Sequence, residues 1–400
     1  MAFAVLSDTS GNVPKKLLEE KNIPVIPFVY SYDGEDHVCE DVENFNAKEF
    51  YSLLARGKEV TTTQISPSGY ADFFRPFLND GLDVIFVSMS SGISGSYNSA
   101  NIAASLLEEE FPERQVAVID TKGAALGEGF VALKGAELRD KGLSFEEAVS
   151  ALRTYSTRMC NVFTVDDLMF LKRGGRLSNL SALVGTVLNI KPLLKGDETG
   201  HIVAFAKIRG RKKAVEALAE RYDTLVEDPA SQTVGIVHAA CIEDAEKLAE
   251  LLKKNKPPRD ILTVGYEPVT GSHVGPGTLA LFFEGRDDVR TALNDMASAK
   301  DRLKTMVNSV KTTLDSYKGA SPAEIKADLK AGINTARENA VGTVKEKLDA
   351  VRETDLDDVK EALAKAKDNV AGKVNSIAVT EIAEVKEKLE NIKESIRKDH

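Results

Sequence analysis

LDVIFVSMSSGISGSYNSANIAASLLEEEF, residues 82–111, decides how this chain reads. LDVIFV is a short continuous apolar run, the pattern of a strand buried on both faces. The stretch after Tyr97 has helical spacing. Between them lie many small and hydroxyl side chains, Ser90, Ser91, Gly92, Ser94, Gly95 and Ser96, with no lysine and no carboxylate. A strand that opens through such a loop onto a helix presents free N–H groups and a positive dipole end, which favours an anion. A nucleotide-binding loop of the GxxxxGK[ST] type needs a lysine that is absent here, so a single carboxylate or phosphate fits better.

Working outward, the same strand–helix beat fills residues 1–157. FAVLSD (3–8), IPVIPFVYSY (23–32), LDVIFV (82–87) and QVAVID (115–120) read as strands. KKLLEEK (15–21), NAKEFYSLLARG (46–57), PSGYADFFRPFL (67–78), SYNSANIAASLLEEEF (96–111) and LGEGFVALKGAELRDKG (126–142) read as helices. Alternation of this kind predicts an α/β domain with a mainly parallel sheet, whose ligands sit beyond the C-terminal strand ends. SDTS (7–10), TTTQ (61–64), SSGISGS (90–96) and DTKG (120–123) all follow extended segments and can converge on one crevice.

Residues 158–286 form a second α/β domain. NVFTV, HIVAFAKI, TVGIVHAA, ILTVGYEPV and TLALFFEG read as strands, and RKKAVEALAERYDTLVED and EDAEKLAELLKKN as helices. FLKRGGRLSNLSALVGTVLNIKPLL (170–194) mixes basic residues with a long apolar helix.

Residues 287–400 follow different rules. From residue 291 on, 20 basic residues balance 20 acidic ones, so the net charge of −10 lies entirely before that point. Only Tyr317 of the 25 Phe and Tyr residues, and only Pro322 of the 13 prolines, fall in this last part. Its narrow apolar stripes predict an all-α extension, a helical bundle or coiled coil.

The bulk composition removes several classes. An acidic chain lacks the basic excess of a nucleic-acid binder. Cys39, Cys160 and Cys241 are few and scattered, which predicts neither disulfides nor a zinc site and fits a reducing, cytoplasmic compartment. The N-terminus lacks the pattern of a signal peptide, and no apolar run is long enough for a membrane-spanning helix. No two histidines have ligand spacing, so no metal is expected; His238 reads as a core strand residue, His37 and His201 as surface residues.

Seven segments together resemble the DegV family: VTTTQISPS (60–68), SSGISGSYNSA (90–100), VIDTK (118–122), FLKRGGRLS (170–178), IKPLL (190–194), KIRGRKKA (207–214) and GSHVGPGTLALFF (271–283). The resemblance runs collinearly from about residue 3 to residue 284. It implies two α/β domains with a long-chain fatty acid between them. It further implies a protein that is not an enzyme alone. Such a subunit offers the acyl carboxylate to a separate ATP-dependent fatty acid kinase for phospholipid synthesis. By the same resemblance Thr62, Ser94 and His273 surround the carboxylate, with Thr63, Ser91 and Gly95 beside them. Arg209 faces the kinase, and Arg173 and Arg176 add to that face or to a transient membrane contact. The family's Gln-Pro step is here Gln64-Ile65, with proline delayed to Pro67, and three consecutive threonines leave the register open by one residue.

The residues agree with that expectation on physical grounds. Neutral hydroxyls can hold a carboxylate and leave one oxygen open to attack phosphorus, whereas a bidentate arginine occupies both. No cofactor beyond the bound lipid is expected. Residues 177–190 and the cluster Phe73, Phe74 and Phe77 are candidate tunnel walls. The alternatives are a stand-alone enzyme or binding protein for a small anionic metabolite, and an interaction platform dominated by the tail.

Overall fold

A computed structural model describes residues 2–177 and 189–286. The chain runs β1 (Phe3–Asp8), a 3-10 turn (Thr9–Gly11), α1 (Lys15–Glu20), β2 (Val25–Ile26), β3 (Phe28–Tyr32), β4 (Glu35–Cys39), α2 (Ala47–Ala55), β5 (Thr61–Thr63), α3 (Pro67–Asn79), β6 (Asp83–Ser88), α4 (Ser96–Glu110), β7 (Val116–Asp120), α5 (Leu126–Asp140) and α6 (Phe145–Arg158). It continues through β8 (Met159–Thr164), α7 (Met169–Arg173), β9 (Ile190–Gly196), β10 (Ile202–Arg209), α8 (Arg211–Leu225), β11 (Thr233–His238), α9 (Ile242–Asn255), β12 (Asp260–Gly265), α10 (Pro268–Val274) and β13 (Leu279–Glu284).

Three sheets result. β2-β1-β6-β7 is four-stranded and all parallel. β10-β9-β8-β13-β11-β12 is six-stranded, with only β11 and β12 parallel. β4-β3-β5 is a small antiparallel sheet. The parallel N-terminal sheet and the mixed α/β class agree with the sequence reading.

Alternation along the strands explains why β1 and β6 read as unbroken apolar runs. Ala4, Leu6, Val84 and Phe86 pack on one side of the parallel sheet, against Tyr70 and Phe74 of α3 and Ala100 and Ala103 of α4. Phe3, Val5, Ile85 and Val87 pack on the other, where α5 lies. Helix α5 also touches β8, β11 and β13 of the larger sheet, so one apolar layer, with Leu126, Phe130, Phe163 and Phe282, joins the two sheets. Helices α8 and α9 cover the far side of the larger sheet.

Several sequence expectations shift. α6 follows a complete capping box of Ser144 and Glu147 that the pattern reading passed over. IKPLL is strand β9 rather than the end of a long helix. Its Pro192 sits past the end of the pairing with β8 and opposite Lys207 of β10, so its missing N–H breaks no bond to β8. GYEPV is not one strand: β12 stops at Gly265, and Pro268 opens α10 at its first turn. Phe73, Phe74 and Phe77 belong to the cluster between the parallel sheet and α3 and α4, away from the apolar layer around α5; they are core, not tunnel wall. His37 is not a free surface residue, since its ring stacks between Tyr30 and Tyr32. The helical extension of 287–400 and most of the candidate tunnel segment, 178–188, lie outside the described residues.

Candidate functional site

Strand β5 settles which of the three threonines turns inward. Thr62 pairs with Tyr30, and its neighbours Thr61 and Thr63 are exposed while Thr62 is half-buried. Its Oγ1 lies 2.9 Å from His273 Nε2, a bond between segments 211 residues apart.

His273 is carried in the last turn of α10. That helix is held by its cap. Glu267 is fully buried and accepts from the N–H groups of Val269 and Thr270 and from the Thr270 hydroxyl. The Cys39 thiol donates to the same carboxylate, 3.4 Å away. The Tyr51 hydroxyl donates to Tyr266 O, 2.7 Å away, one residue before the cap. Burial pushes the His273 imidazole down to about 4, and the nearby Arg176 charge adds to the effect. The ring is therefore neutral near pH 7, with one nitrogen a donor and the other an acceptor.

The segment KRGGR brings a cation to this histidine. Helix α7 ends in Gly174, and Gly175 takes φ +71°, which turns the chain back. A Cβ on Gly174 would press into the imidazole of His273, so glycine is what allows the approach. Arg176 then donates from Nε to Ile93 O at 3.1 Å and from Nη1 to Gly174 O. No carboxylate pairs with it among the described residues, and burial lowers its pKa. Arg173 instead lies over the Phe170 ring, 4.8 Å from its centroid.

Arg176 also ties the hydroxyl loop to the site, because Ile93 lies inside that loop. Ser94 Oγ accepts from Ser96 N at 3.1 Å and turns its proton to Ser96 Oγ at 3.0 Å, so it caps the start of α4. Gln64 Nε2 reaches across from the threonine strand to Gly95 O at 3.2 Å and Ser99 Oγ at 2.5 Å. Ser91 is pinned from below: its N–H donates to Asp120 Oδ1 at 3.2 Å, and Lys122 Nζ donates to its hydroxyl at 3.0 Å. Burial pulls the Asp120 carboxyl upward, but hydrogen bonds from Lys122 and Ser91 outweigh it and hold the group below its usual range.

Two spaces meet at this point. An open cleft of about 510 Å³ is lined by Lys58, Thr61, Thr62, Phe170, Arg173, Arg176, Ser272 and His273, among others. A smaller cavity of about 80 Å³ lies among Ile93, Ala124, Ala125, Phe163, Leu171, Ile202, Val274 and Phe282, a largely apolar wall. Arg176 and His273 line both. The arrangement is a polar mouth, with a desolvated cation and a neutral histidine, set against an apolar interior between the two sheets.

Of the residues singled out in the sequence, Thr62, His273, Arg173 and Arg176 share the cleft. Ser91, Ser94 and Gly95 lie on the adjoining loop, whose Ile93 lines the cavity; Thr63 points away. Arg176, expected on a partner-facing surface, sits at the mouth beside His273. Arg209 is exposed at the end of the edge strand β10 and lines neither space. His201 is exposed, and His238 is the half-buried last residue of β11. Sequence reasoning passed over Gln64 as a clamp and Gly174 as the histidine's seat. No cluster of metal-ligating side chains occurs among the described residues.

A family model described as "Uncharacterised protein, DegV family" matches residues 2–286. A DegV domain-containing protein of Clostridium perfringens is 34% identical over 283 residues, which cover 71% of this chain and 97% of that one. Among solved structures, DegV of Bacillus subtilis, described as a fatty acid binding protein, is 32% identical with a TM-score of 0.62, covering 72% of this chain and 100% of its own. A DegV family protein of Thermus thermophilus, described for its fatty acid binding, is 28% identical with a TM-score of 0.64 and covers 71% and 100%.

Proposed function

From the fact that this chain belongs to the DegV family, we infer that it binds a long-chain fatty acid and presents the carboxylate to a separate ATP-dependent kinase. The observation that carries this reading is the shared wall of the two spaces. Arg176 and His273 stand where a polar cleft gives onto an apolar cavity, which suits a molecule with an anionic end and a hydrocarbon body. The family's solved members from Bacillus subtilis and Thermus thermophilus are described as fatty acid binders.

The chemistry follows from the bonds on the wall. With Nε2–H toward Thr62, His273 donates to the threonine oxygen and leaves the threonine proton for a carboxylate. Ser94 can turn its own proton from Ser96 Oγ to the same anion while its oxygen keeps capping Ser96 N–H. Arg176 supplies charge from one side, its Nε and Nη1 already committed to backbone carbonyls. That geometry resists a fork around both carboxylate oxygens and keeps one free to attack phosphorus. Thr63, Ser91 and Gly95 shape the surrounding loops. The acyl chain enters the apolar cavity, where each methylene removed from water contributes ~0.8 kcal/mol.

In this reading the chain is the acyl-holding subunit, and a separate kinase carries out phosphoryl transfer. Arg209, exposed on the edge strand, is the kinase-facing residue in this reading, and Arg173, at the rim of the cleft, adds to that face. In this reading the head-group loops belong to a first domain, 1–157, and His273 to a second, 158–286, with the ligand between them. The 287–400 extension is not needed for lipid binding in this scheme. A protein of this kind works in the cytoplasm.

Mass spectrometry of lipid extracted from the purified protein should return a long-chain fatty acid. An empty extract from protein that also fails to bind added palmitic acid would reject the reading in favour of a small anionic metabolite. The Ser94→Ala protein should cost about 1 kcal/mol in stability through the lost cap. It should also lose acyl phosphate formation with a kinase by roughly tenfold to a hundredfold. Full phosphorylation of lipid held by that variant would remove Ser94 from the site.

A further inference from the structure

The apolar cavity contains one polar group out of keeping with its walls. Asn161, on β8, lines it together with Phe163 and Phe282. Its Nδ2 donates to Met159 O at 3.2 Å. Its Oδ1 is buried and accepts no hydrogen bond among the described residues. An amide oxygen left in this condition is destabilising, and native structures rarely keep one without a use.

The surroundings are cut to fit this carboxamide. A Cβ on Gly127 would collide with Oδ1, and one on Gly123 would come within 2.9 Å of it. Two glycines on the loop and first turn of α5 thus make room for a side chain that could have been apolar at no cost to the packing. Ala125, between them, takes φ +53° and ψ −142°, a conformation that alanine adopts only under constraint from its surroundings. Tyr266 lines the same cavity, buried, and none of the hydrogen bonds among the described residues involves its hydroxyl. The interior therefore offers an orphan acceptor and a phenol where plain hydrocarbon would want neither.

We propose that the cavity takes an oxygenated acyl chain, one with a hydroxyl partway along its hydrocarbon, and that Asn161 Oδ1 accepts the hydrogen bond from that hydroxyl. This rests on the fatty-acid reading of the site and names the substrate class within it. Asn161 is then a specificity residue remote from the carboxylate. A saturated chain without the hydroxyl leaves the amide oxygen unpaired, so discrimination comes from the enclosed acceptor, as it does wherever a site built to bond a hydroxyl meets an analogue lacking it.

The test is competition binding of stearic acid and a positional series of hydroxystearic acids to the full chain. At least one isomer should bind tenfold or more tightly than stearic acid. In the Asn161→Leu protein, similar in volume and without an acceptor, that preference should fall to within about twofold while stearic acid still binds. Asn161→Ala is the second variant, should leucine disturb folding as judged by the urea midpoint. Equal affinities across the series for the wild type would overturn the proposal, as would a preference that survives in both variants. Wild-type protein that binds no stearic acid and no isomer would overturn the fatty-acid reading itself, a result distinct from binding without preference.

Discussion

An Arg176→Gln protein should bind palmitic acid about a hundredfold more weakly than the wild type, because it loses the arginine that lines both the cleft and the apolar cavity and that no carboxylate pairs with among the described residues. Removing one partner of a desolvated charge pair costs about 2–5 kcal/mol, a range that spans roughly thirtyfold to several thousandfold. Arg176 is held by Ile93 O and Gly174 O, so its position is fixed before ligand arrives. Arg176→Lys keeps the charge but cannot reach both carbonyls with one ammonium, and it should fall between the two. Isothermal titration of delipidated protein measures the effect, with the urea midpoint as the control for folding. Equal affinity in the glutamine variant would return Arg176 to the partner-facing role that the sequence assigned it. Arg209→Ala, exposed and outside both spaces, should leave palmitic acid binding unchanged and reduce only transfer with a kinase.

The second large effect is a dependence of stability on pH that has two opposing sources. Asp8 and Glu128 are buried and joined through the Ser10 hydroxyl, which lies 2.8 Å from Glu128 Oε2 and also contacts Asp8 Oδ1; its one proton goes to one carboxyl while its oxygen accepts from the other, protonated one. Burial raises both, Asp8 to about 7 and Glu128 well above its ordinary value, where the Asp8 charge adds to the effect of burial. A raised carboxyl stabilises the fold below its unfolded value, and that contribution is lost as pH rises through the folded one. His273 works the other way. Its folded value of about 4 lies below the ordinary 6.5, so its contribution is present above pH 6.5 and disappears as pH falls toward 4. Between pH 4.5 and 6.5 the two carboxyls lower stability with rising pH while the histidine raises it, each by up to about 1.4 kcal/mol per unit. The Asp8→Asn, Glu128→Gln protein should therefore gain on the wild type steadily across that window. A series of urea midpoints from pH 4.5 to 7.5 measures the difference, and a constant offset would show that the pair does not hold its protons.

Much of this architecture was legible because its signals are local. β1, β6 and β7 are apolar runs closed by hydroxyl loops, and α3 announces itself with Ser66 and Pro67. β5 was not legible, since TTT has no apolar face and becomes a strand only by pairing with β3. β9 was misread because a short apolar run such as IKPLL does not distinguish strand from helix until its partners are known. In the site, Thr62, Ser94 and His273 were named from motif resemblance, and the bond between Thr62 and His273 rests on a tertiary contact that no spacing encodes. That Arg176 lines the cleft was not legible, because only the left-handed Gly175 and the histidine packed on Gly174 reveal where KRGGR points. Asn161 gave no signal at all. A lone asparagine in NVFTV is an ordinary strand residue until the two glycines opposite it are seen.

The threonine triplet works as a ruler. Thr62 and Gln64 stand two residues apart on an extended segment and leave it on the same side, one for His273 and the other for Gly95 and Ser99. Losing one codon from the repeat would still leave a threonine available to the histidine, yet it would bring the glutamine out of phase and unfasten the neighbouring serine loop. Identity of the three side chains therefore does not make any of them spare, and a deletion here should be far less tolerated than a Thr61 or Thr63 substitution.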